Sequence, residues 1–184
     1  MESKIIKFRT DRVILMGDTH SEVITKKLLN RVPDGSDVFH VGDVGIGFGD
    51  PVYSLGNVKG WINVLNDECK KHDLLLYLNR GNHDCPVCWK KDYGKENVVF
   101  VNTGDSGIFP NGKTVLFIGG GVSVDRYIRT EKIDWWRDEV TEPIDIDRSY
   151  DIMFAHDAPE QFNHPTTSLN QYWSWYVEMD RLLV

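Results

Sequence analysis

Cysteine is scarce in this 184-residue chain, and the three present, Cys69, Cys85 and Cys88, are an odd number. That argues against a disulfide framework and makes a cytoplasmic location the expectation. No apolar run approaches the roughly 20 residues that a membrane helix requires. The first ten residues alternate charges with Ile5, Ile6 and Phe8 and lack the long apolar stretch of a signal peptide. Basic charge is short as well. The 21 Lys and Arg face 28 Asp and Glu, a formal charge of −7. A chain this acidic has no electrostatic footprint for duplex nucleic acid. A small phosphorylated substrate stays open, because bound metal ions reverse the charge of a site locally. Repeats, low-complexity tracts and linkers are also missing. What remains is 41% hydrophobic and 27% charged, an ordinary globular composition. The length suits one domain, residues 1–184, with a substantial core.

Apolar runs recur along the chain and several end in a Gly-Asp, Gly-Asn or His-Asp step. Val13 to Met16 leads into Gly17-Asp18, Val38 to Val41 into Gly42-Asp43, Leu74 to Leu78 toward Gly81-Asn82, and Ile152 to Ala155 into His156-Asp157. Each has the pattern of a buried strand followed by a tight turn. Helices are predicted between some of them, one capped by Ser21 and one carrying Val58, Trp61, Ile62, Leu65 and Cys69 on one face. The middle of the chain holds strand-like runs at Val98 to Val101, Gly107 to Phe109 and Val115 to Ile118, the last two separated by the hairpin signal Asn111-Gly112. The expected class is therefore α/β with mixed sheet pairing. A last helix is predicted from Ser168, with Gln171 completing a capping box, up to Val184.

The strand ends concentrate the chemistry. Asp18, His20, Asp43, Asn82, His83, Asp84, His156 and Asp157 all follow apolar runs. In open α/β sheets, sites form outside the carboxyl ends of the strands. Any one of these residues alone is better explained as a turn residue, a helix cap or a satisfied buried histidine. Delivered together by four strand ends, they form a set of carboxylate, imidazole and amide ligands suited to divalent metals. Asp43, lying between two groups of ligands, is the candidate to bridge two ions. His40, within a strand, is expected to face the core, and His72 to end a helix, where a cation suits the dipole.

The blocks Gly17-Asp18-Thr19-His20, Gly42-Asp43-Val44-Gly45, Gly81-Asn82-His83-Asp84 and the isolated His156 resemble, in order and strand context, the first four signatures of the calcineurin-like metallophosphoesterases. The stretch Gly119 to Asp125, with Trp135-Trp136, resembles a bacterial and phage subset of that family. The resemblance covers about residues 12 to 160 and implies two sheets in a sandwich flanked by helices, with a two-metal site at one edge. It implies that Asp18 and His20 bind the first metal, that Asp43 bridges, and that Asn82 and His156 bind the second. It gives His83 the contact with phosphate and the proton for the leaving oxygen, with Asp84 orienting His83 and Arg80 touching phosphate. The ions would be Mn, Fe, Zn or Ni.

The family's closing Gly-His-x-His block has no counterpart in the sequence. Truncation is the expectation, a degraded site or substitution by His164 being the alternatives, and an incomplete ligand set would bind metal weakly. A non-catalytic metal- or protein-binding scaffold is the rival class. A second rival rests on Gly107 to Thr114, which matches GxxxxGK[ST] letter for letter. That loop must open a helix to hold phosphate, and a strand after Thr114 would exclude it. Gly45 to Gly49 has the wrong spacing for a dinucleotide site, and Cys85-Pro86-Val87-Cys88, a lone CxxC, is expected to be a pair of reduced structural thiols.

Overall fold

A computed structural model describes residues 3–49, 55–91, 93–140 and 149–157. Among the described residues, eight strands and three α-helices form in the order β1 (Ile5–Lys7), β2 (Val13–Met16), α1 (Glu22–Leu29), β3 (Asp37–His40), α2 (Leu55–Lys71), β4 (Leu75–Leu78), α3 (Pro86–Lys90), β5 (Val98–Phe100), β6 (Ser106–Ile108), β7 (Thr114–Ile118) and β8 (Ile152–Ala155). The predicted C-terminal helix and His164 lie outside the described residues.

The strands make two four-stranded sheets, β2-β3-β4-β5 and β1-β6-β7-β8. All pairings in the first are parallel. In the second, β6 and β7 are antiparallel while β1 and β8 join in parallel. Alternation along β3 and β4 explains the layering. Val38, Leu76 and Leu78 pack with Leu29 of α1, Val58, Ile62 and Leu65 of α2 and Trp89 of α3. Phe39 and Tyr77 point the other way, to meet Phe8, Phe109, Val115 and Phe117 between the sheets. There Phe39 stacks on Phe117 at 5.0 Å. Burying such side chains contributes about 1.5–3 kcal/mol each, so the two faces of the parallel sheet hold the layers together. No helix among the described residues is long and apolar enough to cross a membrane.

The hairpin settles the nucleotide-loop match. Thr114 opens strand β7, antiparallel to β6, and Gly112 turns the chain with φ 85° and its N–H on the Phe109 carbonyl. A strand stands where the phosphate loop needs a helix, which excludes that rival.

Met16, His40 and Leu78 end their strands level with one another. The carboxyl ends of the two sheets are tied here. The Asn79 amide donates to the carbonyls of Ile118 (2.8 Å) and Val41 (3.3 Å), and Gly120 N–H donates to the Arg80 carbonyl at 2.6 Å. The loops after β2, β3, β4 and β7, and the residue after β8, therefore share one edge.

Candidate metal centre

The loop after β3 carries Asp43 and is held by a carboxylate 41 residues away. Asp84, fully buried, accepts four backbone N–H groups, from Gly81 (2.8 Å), Asp43 (3.0 Å), Gly45 (2.8 Å) and Ile46 (3.0 Å). The turns after β3 and β4 are thus pinned to each other. Asp18, His20 and Asp43 have φ of 52°, 47° and 58°, a left-handed conformation that non-glycine residues adopt only when their surroundings impose it. Glycines supply the clearance. A side chain at Gly81 would overlap the Asp43 carboxylate, and one at Gly42, itself at φ 137°, would overlap the His156 ring.

Among the described residues, ligand atoms gather in two groups, Asp18, Asp43 and His156, and His20, Asp43 and His83, each within 4.8 Å. Asp43 is common to both, as the bridging expectation requires. In these groups Asp18 stands with His156, and His20 with His83. The turn after β2 is tied to the loop after β3 by Asp18 N–H on the Gly42 carbonyl at 3.1 Å and His20 N–H on the Asp43 carbonyl at 2.9 Å. Asn82 lies with the first group, its Oδ1 at 2.9 Å from His156 Nε2.

Asp43 is 4% exposed and meets imidazoles rather than lysine or arginine: His156 Nε2 at 3.4 Å, His20 Nε2 at 3.7 Å and His83 Nδ1 at 3.8 Å. The His83 N–H donates to its Oδ1 at 2.8 Å. Burial holds the carboxyl above the ordinary range, although His156 pulls the other way. His156 Nδ1 is buried without a partner. A buried carboxylate that faces imidazoles, with carboxylate, imidazole and amide donors converging on it, is what a divalent ion would satisfy, so the residues fit one.

His83, given the phosphate contact by the resemblance, has neighbours that the sequence did not suggest. Its ring stacks on Phe48 at 4.6 Å, its Nδ1 is 3.0 Å from His20 Nδ1, and Arg129 Nη2 donates to its Nε2 at 2.7 Å. Burial, then Arg129 and His20, pulls the imidazole down to about 4, so it is neutral with its lone pair on Nε2. Arg129 is fixed by Asp125 at 2.7 Å and by the Asp134 carbonyl at 3.1 Å. Arg80, expected at the phosphate, donates to the Asp138 carbonyl at 3.3 Å. The guanidinium that reaches His83 belongs to Arg129, which sequence reasoning passed over. Its one signal was the i, i+4 spacing from Asp125. Ser123 and Glu139, also passed over, hydrogen bond to each other behind Asn82. His40 is buried as expected, bonded to the Thr19 hydroxyl at 3.0 Å. His72 follows α2 and pairs with Asp34 at 2.9 Å. Cys85 and Cys88 are buried thiols.

The family model of the calcineurin-like phosphoesterases matches residues 11–183, nearly the whole chain. The chain belongs to that family. Searches of curated proteins and of solved structures returned no match. The calcineurin-like assignment agrees with the fold, two sheets flanked by helices with a group of Asp and His residues able to hold metal at the shared edge.

Proposed function

We propose that this calcineurin-like chain hydrolyses phosphate mono- or diesters with the help of two divalent ions, Mn, Fe, Zn or Ni, held around Asp43. The observation that carries this reading is the sharing of one buried carboxylate by two groups of ligand atoms. Asp18, Asn82 and His156 would serve one ion, His20 the other, and Asp43 both. Ions bound there would supply a nucleophile from water at neutral pH and stabilise charge on the phosphoryl oxygens.

The protein's own groups do the rest. Asp84 keeps the loops after β3 and β4 in register, which fixes Asp43. Arg129 donates to His83 Nε2 beside the cluster. A phosphate dianion would draw the Arg129 donors away from His83 Nε2 and favour the protonated imidazole. His83 would then give that proton to the leaving oxygen, a contribution of about 10²–10⁴-fold. Arg80 is a less direct contact, since its named partner is Asp138. Three cysteines outside any disulfide suit a cytoplasmic setting.

The test is hydrolysis of an aryl phosphate with and without added Mn²⁺. Metal-dependent turnover would carry this reading against the weak metal binding that an incomplete ligand set implies. Metal binding without turnover would leave the scaffold reading in its place.

A further inference from the structure

Asn82 has a choice of two orientations, and only one presents an oxygen to Asp43 and His156. A buried chain of hydrogen bonds makes that choice. Glu139 Oε1 accepts the Ser123 N–H at 2.7 Å and Oε2 accepts the Ser123 hydroxyl at 2.7 Å. Both residues are 1% exposed. With its only proton given to Glu139, the Ser123 oxygen can only accept from Asn82, and Asn82 Nδ2 lies 3.0 Å away. Oδ1 is thereby turned to His156 Nε2 at 2.9 Å. The reversed amide would set oxygen against the Ser123 lone pairs and a donor against the cluster.

We propose that Glu139 and Ser123 are positioning residues that fix the polarity of the Asn82 amide so that its oxygen serves as a metal ligand. This rests on the phosphoesterase reading, in which Asn82 holds an ion. Neither residue touches the cluster itself. Their effect passes through one amide, as outer partners of a metal ligand typically act.

The relay makes a distinctive prediction. In Glu139→Gln, the Ser123 N–H still demands an acceptor, so the Gln oxygen must face it. The Gln NH₂ then donates to the Ser123 oxygen. The hydroxyl proton turns to Asn82, which answers with Oδ1 and presents NH₂ to the cluster, since keeping the native amide would leave that proton without the acceptor it has in wild type. Adding Asn82→Asp restores an oxygen on both sides, because a carboxylate accepts from Ser123 and still offers its second oxygen.

The experiment is calorimetric Mn²⁺ titration of the whole chain, wild type, Glu139→Gln, and Glu139→Gln with Asn82→Asp, alongside metal-free thermal melts. Glu139→Gln should weaken one of two ions by roughly 10–100-fold while its metal-free melt stays near that of wild type. The double variant should recover most of that loss. Wild-type affinity for both ions in Glu139→Gln, or a double variant no better than the single, would overturn the relay and leave the phosphoesterase reading standing. A wild-type chain that binds no Mn²⁺ would overturn both.

Discussion

Two buried carboxylates stand at the edge where the sheets meet, and their surroundings are opposite. Asp84 is saturated by four backbone N–H groups from the turns after β3 and β4. Asp43 receives one backbone N–H and otherwise faces three imidazoles. The first arrangement is complete in the protein alone, because charge-assisted bonds repay the burial of its charge. The second is left short, and its residues hold a left-handed backbone besides. Stability is built around one carboxylate and function around the other, one residue type in two roles set by what surrounds it.

Four variants or conditions break or sharpen this contrast. Asp43→Asn should remove metal-dependent hydrolysis by about 10³-fold or more, since several kcal/mol of metal assistance are lost. The metal-free variant should be no less stable than wild type, because burial opposes the charge it removes. Phosphatase assays and urea unfolding check the two halves. Asp84→Ala should do the reverse first, costing roughly 3–5 kcal/mol in urea unfolding by stranding buried N–H groups. His83→Ala should lower kcat by about 10²-fold while Mn²⁺ binding measured by calorimetry stays within a few-fold of wild type. Loss of binding would make His83 a ligand, as its grouping with His20 and Asp43 allows.

The smallest effect is on pH dependence. Burial, with His156 and His20 nearby, pulls His40 down to about 3. The unfolded chain takes up that proton near pH 6.5. The folded state therefore keeps this contribution above about 6.5 and loses it progressively as pH falls toward 3. Metal-free melting temperatures should drop between pH 7 and 4.5, and less steeply in His40→Asn.

The strand ends were legible because each apolar run gives way to a Gly-Asp, Gly-Asn or His-Asp step, and β2, β3, β4 and β8 form within a residue of the predicted runs. The sharing of Asp43 followed from its place between two ligand-bearing turns. β1 was not legible, since Ile5–Lys7 pairs with β6 about a hundred residues on and no local pattern announces such a partner. α3 had a signal in Pro86, which opens it, but five residues carry too little periodicity. Arg129, Ser123 and Glu139 come from irregular chain between β7 and β8, where side-chain direction follows tertiary contacts that spacing does not encode. Arg80 shows the same limit from the other side: adjacency to Gly81 put it next to the site in sequence, while its guanidinium bonds to Asp138.

The central claim is that one carboxylate serves two ions. Calorimetric titration of wild type and Asp43→Asn with Mn²⁺, side by side on metal-free protein, tests it most directly. The account predicts two ions per wild-type chain and a loss of affinity for both in Asp43→Asn. Two ions bound equally by wild type and variant, or one ion lost and the other untouched, would contradict it.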